Sequence, residues 1–195
     1  MKKYELEIEL DENPMNPRTE WDNIGTMICF HNRYNLGDKL KFGYKSSDYT
    51  SWEELKEQIE KDYNVLAIKP LYLYDHSGIT ISTKPFGCQW DSGQVGWILI
   101  DKARLEYITG DADGFNETNL EEFIDSEVKT YDQYLTGEVY TITINEVETC
   151  DKGHEHKCML ESIGGYYGRE YAEQDGEALL KHYEKEIALV KAQNT

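Results

Sequence analysis

The stretch VLAIKPLYLYDHSGITIS, residues 65–82, leaves its two extended runs one way to meet. Leu71–Tyr74 and Ile79–Ile81 flank Asp75-His-Ser-Gly78. Extended runs on either side of a short polar loop ending in glycine form a β-hairpin, and a hairpin is antiparallel. Pro70 lacks a ladder donor, so it predicts an edge position or a bulge. Gln94–Ile100 predicts a further strand with Val95, Trp97 and Leu99 on one face. The connection from Thr83 to Gly93 is rich in turn formers, which accounts for most of its glycine and serine.

The rest of the chain is read around this sheet. Tyr4, Leu6, Ile8 and Leu10 alternate with Glu5, Glu7 and Glu9, which predicts a half-buried strand with an acidic face. Residues 11–25 read as a loop, GTMICF as a short strand, and NRYNLGDK as a connection. Ser51 caps a helix and Glu54 completes a capping box, with Trp52, Leu55, Ile59 and Tyr63 as the apolar stripe. Residues 101–108 form a helix. Asn116 or Thr118 caps the next one, where Leu120, Phe123, Ile124, Val128, Tyr131, Tyr134 and Leu135 make the best helical stripe and Gly137 ends it. Tyr140, Ile142 and Ile144 alternate in a strand, CDKGHEHKC turns it, and Cys158–Ile163 pairs back. GGYYG reads as a flexible link to a final helix over 170–191, with Leu179, Tyr183, Ile187 and Val190 inward. Hairpins and helices without βαβ alternation give an α+β fold: one domain over 1–195, with a mixed, mainly antiparallel sheet and about three helices. Its C-terminal part is a hairpin over 138–163 followed by that last helix.

Charge narrows the function. The chain carries 38 acids against 20 bases, net −18. Residues 106–148 hold 12 acids and one base, Lys129. This charge opposes direct binding to a phosphate backbone and favours a basic protein partner. No run of about 18 apolar residues predicts a membrane span. MKKYELEIEL is unlike a signal sequence, so a cytoplasmic location and free thiols are expected.

Several groups of residues are weighed as candidate sites. Glu121, Asp125 and Asp132 share a helix face opposite the apolar stripe, with Glu117 and Glu122 flanking and Asp111 and Asp113 nearby. The first three lie four and seven residues apart, and since four residues of helix rise about 6 Å, a row of carboxylates at that pitch could imitate a ridge of phosphates. Cys150, His154, His156 and Cys158 are residue types that suit zinc, and a hairpin turning at Lys152-Gly153 would bring Cys150 toward His156. Their spacing is not that of a common finger, and the plainer reading is two exposed histidines on a hairpin loop. His76, Cys88 and Asp91 are the candidates for nucleophilic catalysis, which needs a base beside the thiol. The plainer reading is turn residues and a buried thiol, and the same holds for Cys29 with His31. GDADGFNETNLEE lacks the two carboxylates a calcium loop needs at its first and last positions. Trp21, Trp90, Trp97, Tyr166 and Tyr167 read as core and hairpin packing, because base-stacking grooves are lined with lysine and arginine.

The stretches NPRTEWDNIGTMICFHNRYNLGD, LYLYDHSGITISTKPFGCQWDSGQVGWI and VKTYDQYLTGEVY resemble a family of small acidic proteins encoded by bacteriophages and mobile elements. The resemblance covers roughly residues 14–140 and the hairpin ending in SIGGYYG. That family has no established activity to carry over. It implies a phage setting, located in the cytoplasm of the bacterial host.

The expectation is therefore a non-enzymatic, acidic binding protein without a cofactor. It would occupy a basic, nucleic-acid-binding surface of a host defence complex, as an anti-restriction or anti-CRISPR-like inhibitor that mimics nucleic acid. Asp111, Asp113, Glu117, Glu121, Glu122, Asp125 and Asp132 would make the contact. One alternative is a cysteine- or carboxylate-based hydrolase using segment 75–97. Another is a zinc-stapled interaction module.

Overall fold

A computed structural model describes residues 2–38 and 42–193, with side chains described for 3–38 and 42–185. Lys39 of the predicted NRYNLGDK connection and the side chains of Ile187 and Val190 lie outside the described residues. In chain order the elements are β1 (Lys2–Leu10), α1 (Pro17–Glu20), β2 (Thr26–Cys29), α2 (Trp52–Asp62), β3 (Val65–Asp75), β4 (Ile79–Ser82), β5 (Ser92–Asp101), α3 (Lys102–Thr109), α4 (Glu117–Thr136), β6 (Val139–Thr149), β7 (Glu155–Tyr167) and α5 (Arg169–Gln193). Every strand pairing is antiparallel, and the fold is α+β. The chain divides into two compact units, residues 16–136 and residues 1–15 with 137–195. The reading from sequence treats the same span as one domain.

In the 16–136 unit the strand order is β2-β5-β3-β4. The predicted hairpin is β3 with β4, in register from Tyr72–Ser82 to Asp75–Ile79. Pro70 pairs with Trp97 of β5, while β4 reaches back along β3 no further than Tyr72. At Pro70 the interior strand therefore has a local edge, where a missing donor is harmless.

Strand β5 is buried along its whole second half rather than on alternate residues. Ile98 and Ile100 enter one core with Leu71 and Leu73, capped by Leu120, Ile124, Val128 and Tyr131 of α4. Trp97 and Leu99 enter a second core with Leu55 and Ile59 of α2. Each such side chain contributes about 1.5–3 kcal/mol on burial. Val95 was expected beside Trp97 and Leu99, but it packs in the first core with Ile98 and Ile100. The cause is a bulge. Leu71 pairs with Gly96 and Tyr72 with Gln94, so Val95 is the extra residue and reverses the facing beyond it. Gly96 is required by the close approach of β2, since a Cβ there would lie 1.8 Å from the Ile28 carbonyl oxygen.

The helices follow their caps. Ser51 Oγ accepts from Glu54 N at 3.1 Å, while the Glu54 carboxylate reaches Thr50 N at 2.6 Å instead of closing on Ser51. Asn116 Oδ1 accepts from Asn119 N at 3.0 Å and caps α4. The loop expected over 11–25 contains α1, started by Asn16 as cap and Pro17 at the first turn.

In the other unit β6 lies between β1 and β7. Helix α5 packs on this sheet, where Ala172 meets Ile142 and Tyr166, with Leu6, Ile8 and Leu179 half-buried around them. The segment GGYYG was expected to be a flexible link and is instead the end of β7. Tyr166 and Tyr167 pair with Tyr140 and Val139, and Tyr166 is buried with its hydroxyl on Asp175 at 2.5 Å. Gly164 and Gly165 together oppose the single residue Thr141 in a bulge, with Gly165 at φ +81° and its N–H on Asp11.

Candidate functional site

The acidic helix face is not one free row. Asp132 Oδ1 accepts from Ile81 N at 2.8 Å and so completes β4. It was expected as a contact residue and is committed to the sheet. Glu121 and Asp125 share the ammonium of Lys69 at 3.0 and 3.1 Å, and Asp125 also accepts from Thr83 Oγ1 at 2.8 Å. Burial works against the charge of Lys69, but the two carboxylates more than offset it and raise its pKa. Asp111 Oδ1 accepts from the backbone of Asp113 and Gly114, and Asp113 pairs with Lys102 at 2.8 Å. Asp113 stays 86% exposed, and Glu117 and Glu122 are exposed as well. Glu121 and Asp125 keep about half of their side-chain surface. The remaining acidic face is therefore the head of α4 and the turn before it. Glu122 also lines a shallow groove with Phe115 and Phe123.

The reading from sequence missed the most buried charge. Arg18 has a side chain 1% exposed and binds Asp38 at 2.5 Å, Glu127 at 2.8 Å and the Gly25 carbonyl at 2.7 Å. Glu127 accepts from Ile24 N, and Asp38 from Met27 N. Burial disfavours the cation, yet Asp38 and Glu127 overcome that and raise its pKa. These groups join α1, β2 and α4, and their hydrogen bonds are satisfied. The Asn16-Pro17 helix start was the one local sign of an ordered segment there. Arg18 also borders a cleft of about 750 Å³, with Trp21, Tyr63 and Tyr107. Its carboxylates are spent inside the fold, with Asp38 on Arg18, Asp62 on Tyr44 and Gln58, and Asp101 on Arg104 N.

The nucleophile candidates do come together, at the β3–β4 turn. Asp91 Oδ2 lies 3.2 Å from His76 Nδ1 and 3.7 Å from Cys88 Sγ. The carboxylate stands between imidazole and thiol. A thiolate nucleophile needs the imidazole in the middle, because a carboxylate beside the sulfur disfavours its anion. Cys29 is excluded on other grounds: burial, then the negative charge of Asp38, pushes its thiol up to about 12. Ser77, between His76 and Gly78, sits at φ +59° and closes the turn.

A second pair of residues arrives from the loop after β2. His31 Nδ1 accepts from Arg33 N and Tyr34 N, and its Nε2 faces Asp75 at 3.8 Å. Arg33 binds the same carboxylate, and its guanidinium lies 5.6 Å from the Tyr34 ring centroid. Asp75 N donates to Asp91 O at 2.8 Å, which ties the two clusters together. Between them opens a cleft of about 340 Å³, lined by His31, Arg33, Asp75, Trp90, Asp91 and Ser92 among others. Trp90 was expected as hairpin packing and is 97% exposed.

The zinc candidates spread along the β6–β7 hairpin. Cys150 N donates to His154 O, while His156 pairs with Glu148 and Cys158 with Glu146. Cys150 thus faces His154 and not His156. Among the described residues no three His, Cys, Asp or Glu side chains are arranged to hold a metal. Among the same residues, no helix is long and apolar enough to cross a membrane.

No protein-family model matches the chain, and neither a curated protein nor a solved structure is similar to it. Residue roles therefore rest on the geometry above.

Proposed function

We propose that this protein binds a basic protein surface of the kind that otherwise holds nucleic acid, and occupies it by mimicry. The observation that carries the reading is the head of α4. The helix buries Leu120, Ile124, Val128 and Tyr131 and leaves Glu117, Glu121, Glu122 and Asp125 outward, continuous in sequence with Asp111 and Asp113. Lys69 and Lys102 hold three of these carboxylates in place at the margin, which lowers the entropy lost on binding. The net charge of −18 adds long-range steering toward a cationic receptor. The resemblance to phage proteins suggests the receptor class, a host restriction or CRISPR effector.

The test is capture from a nuclease-treated bacterial lysate, followed by elution with duplex DNA. Duplex DNA should displace the captured protein, and capture should fall about tenfold or more between about 0.05 and 0.3 M salt. Replacing Glu117, Glu121 and Glu122 by Lys should abolish it without changing the circular dichroism spectrum. Asp132 is left out of this variant because it supports β4. A partner that DNA fails to displace, or that the triple variant still captures, overturns the reading.

A further inference from the structure

Trp90 and Asp91 hold groups that the fold leaves unused. A packed tryptophan buries about 150–250 Å², whereas Trp90 is 97% exposed. It does not hang from a free loop, because Asp91 O accepts from Asp75 N and Ser92 Oγ donates to Cys88 O on either side of it. The next residue, Asp91, uses Oδ2 for His76 and Cys88. Among the described residues its Oδ1 accepts no hydrogen bond.

The same cleft already shows what such a pair binds. Asp75 and the Tyr34 ring hold the guanidinium of Arg33 between them. Trp90 and Asp91 repeat that combination of aromatic face and carboxylate, and among the described residues no cation fills it. With Asp75 matched by Arg33, Asp91 keeps only the His76 imidazole, at 3.2 Å from Oδ2, as a charge partner among the described residues. A phosphate would meet Asp75 and Asp91 and the field of a chain at −18. A guanidinium or ammonium would gain the ring face of Trp90 and an ion pair with Asp91 Oδ1.

We infer that this cleft receives an arginine or lysine side chain of the protein partner, stacked on Trp90 and paired with Asp91. The inference rests on the proposal that the partner is basic, and adds a point of attachment separate from α4. Exposed aromatic anchors beside charged groups are where interface energy concentrates.

The experiment follows the Trp90 indole N–H by nuclear magnetic resonance, assigned with Trp90→Phe. The probe is the blocked tripeptide acetyl-Ala-Arg-Ala-amide. Its neutral counterpart with citrulline in place of arginine, and adenosine monophosphate, serve as controls. The arginine peptide should shift the resonance saturably at millimolar concentration. Asp91→Asn should weaken it about threefold or more, and the citrulline peptide should not saturate. Equal shifts from arginine and citrulline peptides, an unchanged titration in Asp91→Asn, or tighter binding of the nucleotide would each overturn the inference. The Glu117, Glu121 and Glu122 variant separates the two proposals. It should leave the peptide titration intact, so lost peptide binding with intact capture sinks the cleft, and lost capture with intact peptide binding supports it.

Discussion

Arg18 carries a disproportionate share of the 16–136 unit. Its guanidinium is buried between two carboxylates that themselves hold the backbone of Ile24, Gly25 and Met27. Removing one member of such a set costs more than the set contributes, because the remaining charges stay desolvated. Arg18→Met should therefore lower stability by about 3 kcal/mol, toward the low end for buried pairs because Asp38 and Glu127 keep some solvent contact. Urea unfolding measures this. Adding Glu127→Gln to that variant should recover part of the loss, since it removes one stranded charge. A variant with wild-type midpoint would show that the network contributes nothing. No sequence pattern marked this residue, because an arginine in a proline-rich loop reads as solvated until its partners, 20 and 109 residues away, are known.

Two elements respond to single changes in ways their local sequence does not announce. Gly96 sits where β5 passes against Ile28, and a Cβ there meets that carbonyl oxygen at 1.8 Å. Gly96→Ala must push β2 away from β5, at a cost of about 3 kcal/mol, the upper end for overpacking. Amide exchange of Met27 and Ile28 should speed up if β2 detaches, and an unchanged pattern would contradict the close approach. The acidic face of β1 behaves differently. Lys157 binds Glu5 at 2.8 Å and Glu7 at 2.6 Å, and Lys3 also reaches Glu5. Lys157 is the first cause that lowers both glutamate pKa values from 4.5. Depressed carboxylates stabilise the fold above the unfolded value, and that contribution is lost as pH falls through the lowered values. Stability should decline as pH drops below about 4.5, and Lys157→Met should remove the part due to these two groups. Denaturant titrations across pH 3–6 in both proteins decide this, and identical slopes would leave the ladder without effect. The alternation in MKKYELEIEL made the strand legible; its pairing with a lysine about 150 residues later was not.

At the scale of the whole molecule, the net charge is shared equally by the two units. Residues 16–136 carry 21 acids and 12 bases, and the remaining residues carry 17 and 8, so each unit has net −9. The excess over 106–148 that stands out along the chain is thus divided between the two compact units. The 16–136 unit is one continuous stretch of chain with its own sheet and two cores. Expressed alone it should fold, giving dispersed amide resonances and a cooperative thermal transition; a collapsed, non-cooperative product would refute its independence. The sequence by itself determined the α+β class, the β3–β4 hairpin, the α2 and α4 stripes with their caps, and the dominant negative charge. Those are contacts within a few residues, where spacing along the chain is spacing in space. Only the tertiary structure decided that β1 pairs with β6, that Val95 changes sides, that Asp132 serves β4, that Arg18 is buried, and that Arg33 and Asp75 meet beside Trp90. Closing a loop of 40 residues costs little less than closing one of 130. Distant partners are chosen by the packing of whole elements, and that choice leaves no mark in the local order of residues.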